Sequence, residues 1–327
     1  MLPAKQLSLW RFALSGLQRQ LPVILLYVVE SKGSSPGRPG FFMVINGAGE
    51  KEGSIGGGIM EHKFTEMARE QLRQDTPVIS LRRQIHDKEV KKDQSGMICS
   101  GEQTILVYTL RQDDLPVLEQ LTTSLRQHSN GLLQFSPKGI GYSSHPPEKA
   151  VDFQHRSDTD WEYQQKTGYS HRLYIVGGGH VALAFSRLMA TMDFYIVLYD
   201  DRGGLDSFLR NDYTHEKKII GNYQQLNELV TGGSEDYVVV MTQGYRTDDQ
   251  AIRALIQKDF KYFGVLGSKT KVEKLMAAFR SEGFPEQRLG KLRAPAGLAI
   301  HSQTPEEIAV SIAAEIIQHL HAPEIIS

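Results

Sequence analysis

The segment Leu173–Ala182, LYIVGGGHVA, constrains the fold more than any other part of the chain. A short run of strand-type side chains enters three glycines and leaves as a helix-forming stretch. Gly177, Gly179 and Ala182 carry the G-x-G-x-x-A spacing. In that spacing the first glycine permits a tight turn, the second lets an anion approach the backbone, and the small third residue lets helix and strand pack closely. The free amides and the helix dipole then favour a negative group. His180 opens this helix. The sequence around the turn alternates, with strand-type runs at Leu173–Val176, Tyr195–Tyr199, Lys218–Ile220, Tyr237–Met241, Tyr262–Leu266 and Leu298–Ile300 and helical stretches between them. Such alternation predicts an α/β fold with a Rossmann-like, doubly wound parallel sheet of about six strands. The last helix, Pro305–Leu320, has a strong start: Thr304 can cap, Pro305 suits the first helical position and Glu307 completes a capping box. Asp200, at the end of the second strand, lies about 20 residues past the turn, where a dinucleotide-binding domain places its ribose acid.

The first half reads as α+β. Leu7, Trp10, Leu14 and Leu17 give an amphipathic helix, and Val23–Glu30 and Phe41–Ile45 read as strands around the loop Ser31–Gly40. A helix follows from about Ile59 to Arg73, strands at Val78–Arg82 and Thr104–Leu110, a helix near Leu115–Gln127, and short strands to Phe153. The polar, aperiodic stretch His155–Ser170 marks a boundary. The expected division is an N-terminal α+β domain at 1–155, a linker at 156–170 and a C-terminal Rossmann-like domain at 171–327.

Composition narrows the function classes. A formal net charge of −1 over 327 residues provides no basic face for nucleic acid. One cysteine, Cys99, excludes an internal disulfide framework, a zinc ribbon and a Cys-ligated iron–sulfur cluster, and no metal ligands are assigned. The longest apolar run, Val23–Val29, is far short of the ~20 residues of a membrane helix, and the opening MLPAKQLSLWRF lacks the pattern of a signal peptide. The expectation is a cytoplasmic protein without membrane association.

Three further stretches stand out as candidate sites. Gly33–Gly40 mixes turn formers with Arg38. Gly53–Glu61 sets Gly56, Gly57 and Gly58 before a helix, a run that can present amides as an anion-binding concavity, with Glu61 in the first helical turn. Past the fifth strand, Gly267, Ser268, Lys269 and Lys271 would suit a phosphate at a helix N-terminus, since cations there oppose the dipole. A lone Cys is usually a small core hydrophobe, but Cys99, between Gly96 and Gly101 at a strand entrance, reads as an exposed thiol rather than a buried one.

Together GSSPGRPG (33–40), GSIGGGIME (53–61), GMICSGE (96–102), YIVGGGHVA (174–182), LYDDR (198–202), VVVMTQG (238–244), GVLGSK (264–269) and APAGLAIHSQTPEEIAVSIAAEI (294–316) resemble the XdhC/CoxI family, the xanthine dehydrogenase accessory proteins. The resemblance implies an accessory factor that binds molybdenum cofactor (molybdopterin) as cargo. Such a factor supports sulfuration of the cofactor with a cysteine desulfurase and hands it to a xanthine dehydrogenase-type molybdenum hydroxylase, itself acting as a homodimer. The family often has Cys where this chain has Ile59, Cys-Gly-Gly where it has Cys99-Ser100-Gly101, and His where it has Gln243. Thiol chemistry on the cargo would therefore rest on Cys99. The alternative is an NAD(P)-dependent oxidoreductase using Gly177, Gly179 and Asp200, with His180 or His301 as acid/base.

Overall fold

The computed structural model describes residues 5–74, 76–85 and 101–321. The chain divides into two compact units, one reaching Gly168 and the other starting at Tyr169.

In chain order the first unit contains α1 (Lys5–Gln18), β1 (Val23–Gly33), β2 (Phe42–Asn46), β3 (Lys51–Gly53), α2 (Gly58–Gln74), β4 (Ile79–Ile85), β5 (Gly101–Leu110), α3 (Leu115–Arg126), β6 (Gly131–Ser136), β7 (Gly139–Ser143), β8 (Val151–Ser157) and β9 (Asp160–Thr167). They form two antiparallel sheets, ordered β3-β2-β1-β5-β4 and β7-β6-β9-β8. Every residue from Val23 to Val29 is buried, because both faces of β1 are covered. On one face Ile24, Leu26 and Val28 pack with Met60, Phe64 and Ala68 of α2. On the other, the Tyr27 ring lies 5.1 Å from Phe42 and 5.0 Å from Phe135 of the second sheet, and Trp10 of α1 lies 4.7 Å from Phe42. Burying such rings supplies much of a core's apolar area.

The linker expected at 156–170 is instead the end of β8, a turn and all of β9. Along β9 the residues Trp161, Tyr163, Gln165 and Thr167 are buried, alternating with more exposed ones. Two of these inward positions are polar, so the period of two that marks a half-buried strand is hidden from a hydropathy reading. Gln165 can be buried because its Oε1 accepts hydrogen bonds from the hydroxyls of Tyr27 (2.7 Å) and Tyr163 (2.7 Å).

The second unit contains β10 (His171–Val176), α4 (His180–Met189), β11 (Phe194–Asp200), α5 (Asp206–Leu209), β12 (Glu216–Ile219), α6 (Leu226–Leu229), β13 (Gly233–Val240), α7 (Tyr245–Leu255), β14 (Phe260–Val265), α8 (Lys269–Ser281), α9 (Glu286–Leu289), β15 (Leu292–Arg293) and α10 (Pro305–Leu320). Its six strands are ordered β12-β11-β10-β13-β14-β15 and every neighbouring pair is parallel. Counted from β10 this is the doubly wound order 3-2-1-4-5-6. Successive side chains point to opposite faces. Leu173, Ile175, Ile196 and Val239 pack with α4 and α10 through Phe185, Ile312 and Ile316. Val176, Val197, Val238 and Val240 pack with α7 and α8 through Ile252, Leu255 and Phe279.

The sixth strand is Leu292–Arg293 rather than Leu298–Ile300. Leu292 is buried and pairs with Phe263 of β14. Leu298 and Ile300 are 37% and 49% exposed, and Leu298 is tied to α10, its carbonyl accepting from Ser311 Oγ at 2.7 Å. Ala294–Gly297 therefore follows the last strand instead of preceding it. The capping box opening α10 forms as its sequence predicts: Thr304 Oγ1 accepts from the Glu307 amide (3.2 Å), and Glu307 Oε2 accepts from the Thr304 amide (3.1 Å). Among the described residues no helix is long and apolar enough to cross a membrane.

Candidate functional site

In the first unit, three of the glycine-bearing segments converge at one end of the five-stranded sheet. They are the loop after β1, the loop before α2, and the start of β5. The approach is backbone to backbone. A methyl group on Gly56 would lie 2.7 Å from the Gly37 amide nitrogen, and one on Gly101 would lie 2.7 Å from the Ser34 carbonyl oxygen. One on Gly37 would collide with the Ile55 carbonyl and with Gln103 Nε2, which itself donates to Ile55 O at 3.3 Å. Ser35 Oγ is buried there with no hydrogen-bond partner among the described residues.

The glycine triplet has φ values of 127°, 79° and 69° at Gly56, Gly57 and Gly58, a left-handed run that L side chains resist. The turn holds an internal carboxylate in place of an outside anion. Glu61 Oε2 accepts from the amides of Ile55 (3.1 Å) and Gly57 (3.0 Å) and from Ser54 Oγ (2.6 Å). Glu61 thus closes the turn onto the start of α2 rather than standing ready for a ligand. Arg38 is exposed on the neighbouring loop. Cys99 lies outside the described residues.

Beside these loops runs a charged ladder that sequence reasoning missed. Lys32 Nζ lies 2.9 Å from Glu30 and 3.6 Å from Glu102, and Arg83 also pairs with Glu102. The Arg83 hydrogen bonds hold the Glu102 carboxyl below its ordinary value. Phe153, His155 and Asp158 join these residues around a cavity of about 530 Å³. Cross-strand register places Lys32 opposite Glu102, information that residue spacing alone does not carry.

In the second unit the sequence-predicted residues gather at the carboxyl ends of β10, β11, β13 and β14, with the switch point of strand order at β10 and β13. Gly177 has φ 109° and its added methyl would sit 2.5 Å from Met241 O, so this glycine lets the turn press against β13. Nothing lies within 4 Å of a methyl built on Gly179, which caps α4 beside open space. His180 is exposed.

Asp200 departs from the free ribose acid that its position predicts. It is fully buried. Its Oδ2 accepts from the Gly178 amide at 2.6 Å and from an Arg202 terminal nitrogen at 2.8 Å, and its Oδ1 accepts from Arg202 Nε at 2.9 Å. Burial pushes its pKa up, but the hydrogen bonds from Arg202 and Gly178 outweigh it and leave the carboxyl below its ordinary value. The same guanidinium donates to Gln243 Oε1 at 2.5 Å.

The lysine cluster is similarly committed. Ser268 Oγ accepts from the Lys271 amide at 3.3 Å, capping α8. The Lys271 stem crosses Gly267, with Cδ 3.1 Å from the position of an added methyl, and its ammonium pairs with Asp248. Asp248 is completely buried and also accepts from the amide and hydroxyl of Thr242. Burial raises its pKa beyond what Lys271 and Thr242 recover. Lys269 alone of the pair remains exposed. Asp248 and Thr242 were not singled out from the sequence. A Thr–Asp pair six residues apart across a loop has no spacing signature.

Comparison with known proteins agrees with both halves. The XdhC Rossmann domain matches residues 173–316, and the XdhC and CoxI family matches residues 17–83. An uncharacterized protein of Escherichia coli, YqeB, is 24% identical over 92% of this chain, which spans only 44% of that protein's length. A Bacillus subtilis protein named as a probable xanthine dehydrogenase subunit is 24% identical over 92% of this chain and 94% of its own. A crystal structure of a protein from Bacillus halodurans described as a xanthine dehydrogenase superposes with a TM-score of 0.73 at 21% identity, over 98% of both chains, which shows a shared fold. The two matched regions, one in each unit, place the chain in the XdhC and CoxI family.

Proposed function

We propose that the chain is a cytoplasmic accessory factor that binds molybdenum cofactor and supports its sulfuration and insertion into a xanthine dehydrogenase-type molybdenum hydroxylase. The observation that carries this reading is the convergence of the three family segments of the first unit, around Gly37, Gly56 and Gly101, at one sheet end. The glycines let these three loops pack backbone to backbone at that end, and Arg38 stands exposed on the same loop as Gly37, where it could meet the cofactor's phosphate. The Bacillus subtilis relative, by its name, supports a partner of the xanthine dehydrogenase type. With one cysteine, these 327 residues cannot ligate iron–sulfur clusters on their own, which favours the role of helper over that of the hydroxylase. A cysteine desulfurase would supply the sulfur, Cys99 would offer the soft thiolate for a molybdenum–sulfur group, and two copies of the chain would act together.

The test is anaerobic mixing with molybdenum cofactor, then gel filtration with metal analysis. Molybdenum should co-elute with the wild-type chain and fall with Arg38→Ala and with Cys99→Ala. No molybdenum above background with the wild-type chain would refute the reading. Retention by Cys99→Ala would remove its thiol.

A further inference from the structure

A doubly wound sheet in this strand order ordinarily takes a nucleotide in the crevice at its switch point, with the acid at the end of the second strand on the ribose. The residues here do not fit that mode. Both oxygens of Asp200 are taken by the Gly178 amide and by Arg202. Arg202 lies just past β11 and Gln243 just past β13, and in the sheet β10 stands between those strands. Two inter-strand spacings separate β11 from β13, on the order of 10 Å. The hydrogen bond from Arg202 to Gln243 therefore spans the carboxyl end of β10, where the glycine turn Gly177–Gly179 emerges.

We propose that Arg202 latches this crevice shut, joining Asp200 to Gln243 across the glycine turn, and that the latch keeps NAD-type dinucleotides out of the second unit. Asp200 then positions the turn from within rather than binding a ribose. The latch has a strong half and a weak half. The two-point contact of guanidinium with buried carboxylate is charge-assisted at both ends, whereas the Gln243 end meets a neutral amide on an exposed side chain. Gln243 is thus the end that can be released without disturbing the fold. The inference stands apart from the cargo reading, since it concerns only the second unit's own residues.

The full-length protein would be titrated calorimetrically with NAD⁺ and NADP⁺, beside Gln243→Ala and Arg202→Leu, with circular dichroism confirming that each variant is folded. The wild-type chain should show no saturation below about 1 mM. Gln243→Ala should bring saturation by at least one of the two into range, tightening it by about tenfold or more, and Arg202→Leu should do so to at least the same extent. Micromolar binding by the wild-type chain, unchanged in Gln243→Ala, would overturn the latch. So would an absence of binding in all three proteins, because the closure would then not be what excludes the dinucleotide.

Discussion

Replacing Lys271 by methionine isolates one charge at the edge of the parallel sheet. The methionine keeps an apolar stem over Gly267 and removes the ammonium that faces the buried carboxylate of Asp248. Removing one partner of a buried pair costs about 3–5 kcal/mol. The Lys271 side chain is 23% exposed, and water already weakens its field, so about 2–3 kcal/mol at pH 8 is the working figure. The sign of the pH dependence follows from Asp248, whose folded pKa is already raised by burial. Between the unfolded value, about 3.9, and the folded one, the native state binds more protons than the unfolded state. Stability therefore falls as pH rises through that window. Losing Lys271 moves the folded value higher and extends the fall toward neutral pH, at up to about 1.4 kcal/mol per pH unit. The variant's deficit should shrink as pH falls from 8 toward 5, because Asp248 takes up a proton more readily once Lys271 is gone.

The assay must report the right unit. Both tryptophans, Trp10 and Trp161, belong to the first unit, so their fluorescence does not follow β13 and β14. Hydrogen exchange of amides in those strands does, with protection corrected for intrinsic rates at each pH. Asp248→Asn supplies the control: an amide can still accept from Thr242 and carries no charge to strand. The double variant should be more stable at pH 8 than Lys271→Met alone, a coupling visible in the cycle. A deficit equal at pH 5 and pH 8, or no coupling, would refute the electrostatic reasoning.

Asp200 should behave oppositely. Its folded pKa is depressed, so its contribution is present above the unfolded value, near 3.9, and is lost as pH falls further; exchange at the β10–α4 turn should rise there in the wild-type chain and less steeply in Asp200→Asn. Glu61→Gln weakens three hydrogen bonds to a carboxylate and should cost the first unit about 1–2 kcal/mol in urea unfolding followed by tryptophan fluorescence. Gly177→Ala forces a methyl against Met241 O at φ 109° and should lower the second unit's stability by more than about 1 kcal/mol. Gly179→Ala, with open space at the same test, should match wild type in stability, so any ligand whose binding it weakens touches that turn. Thr304→Ala should cost about 1 kcal/mol through the lost cap, read as faster exchange in the first turn of α10.

Much of the architecture was legible because apolar period and turn chemistry agree locally. The glycine turn at Gly177, the alternation after it and the Thr304 cap each state the same answer at several levels. Legibility failed where tertiary context overrides local pattern. β9 hides its period because Gln165 is buried and satisfied by two tyrosine hydroxyls, Tyr27 of β1 and Tyr163 of β9 itself. Leu298–Ile300 imitates a strand because three apolar-type residues in a row look alike whether they pair with β14 or lean on α10.

The candidate sites show a more general limit. Sequence reveals the donors of a glycine turn but not who occupies them. The amides before α2 are taken by Glu61, four residues past Gly57, and the Gly178 amide by Asp200, twenty-two residues away. Lys271, which reads as a spare cation, belongs to Asp248. In each case the orphan groups of a turn or helix end must find partners, and a charged side chain of the chain itself arrives first. An outside anion at either glycine turn would then have to displace a carboxylate already held by two or more hydrogen bonds. Among the described candidate residues, Arg38, His180, Lys269 and the space beside Gly179 are not taken up in this way.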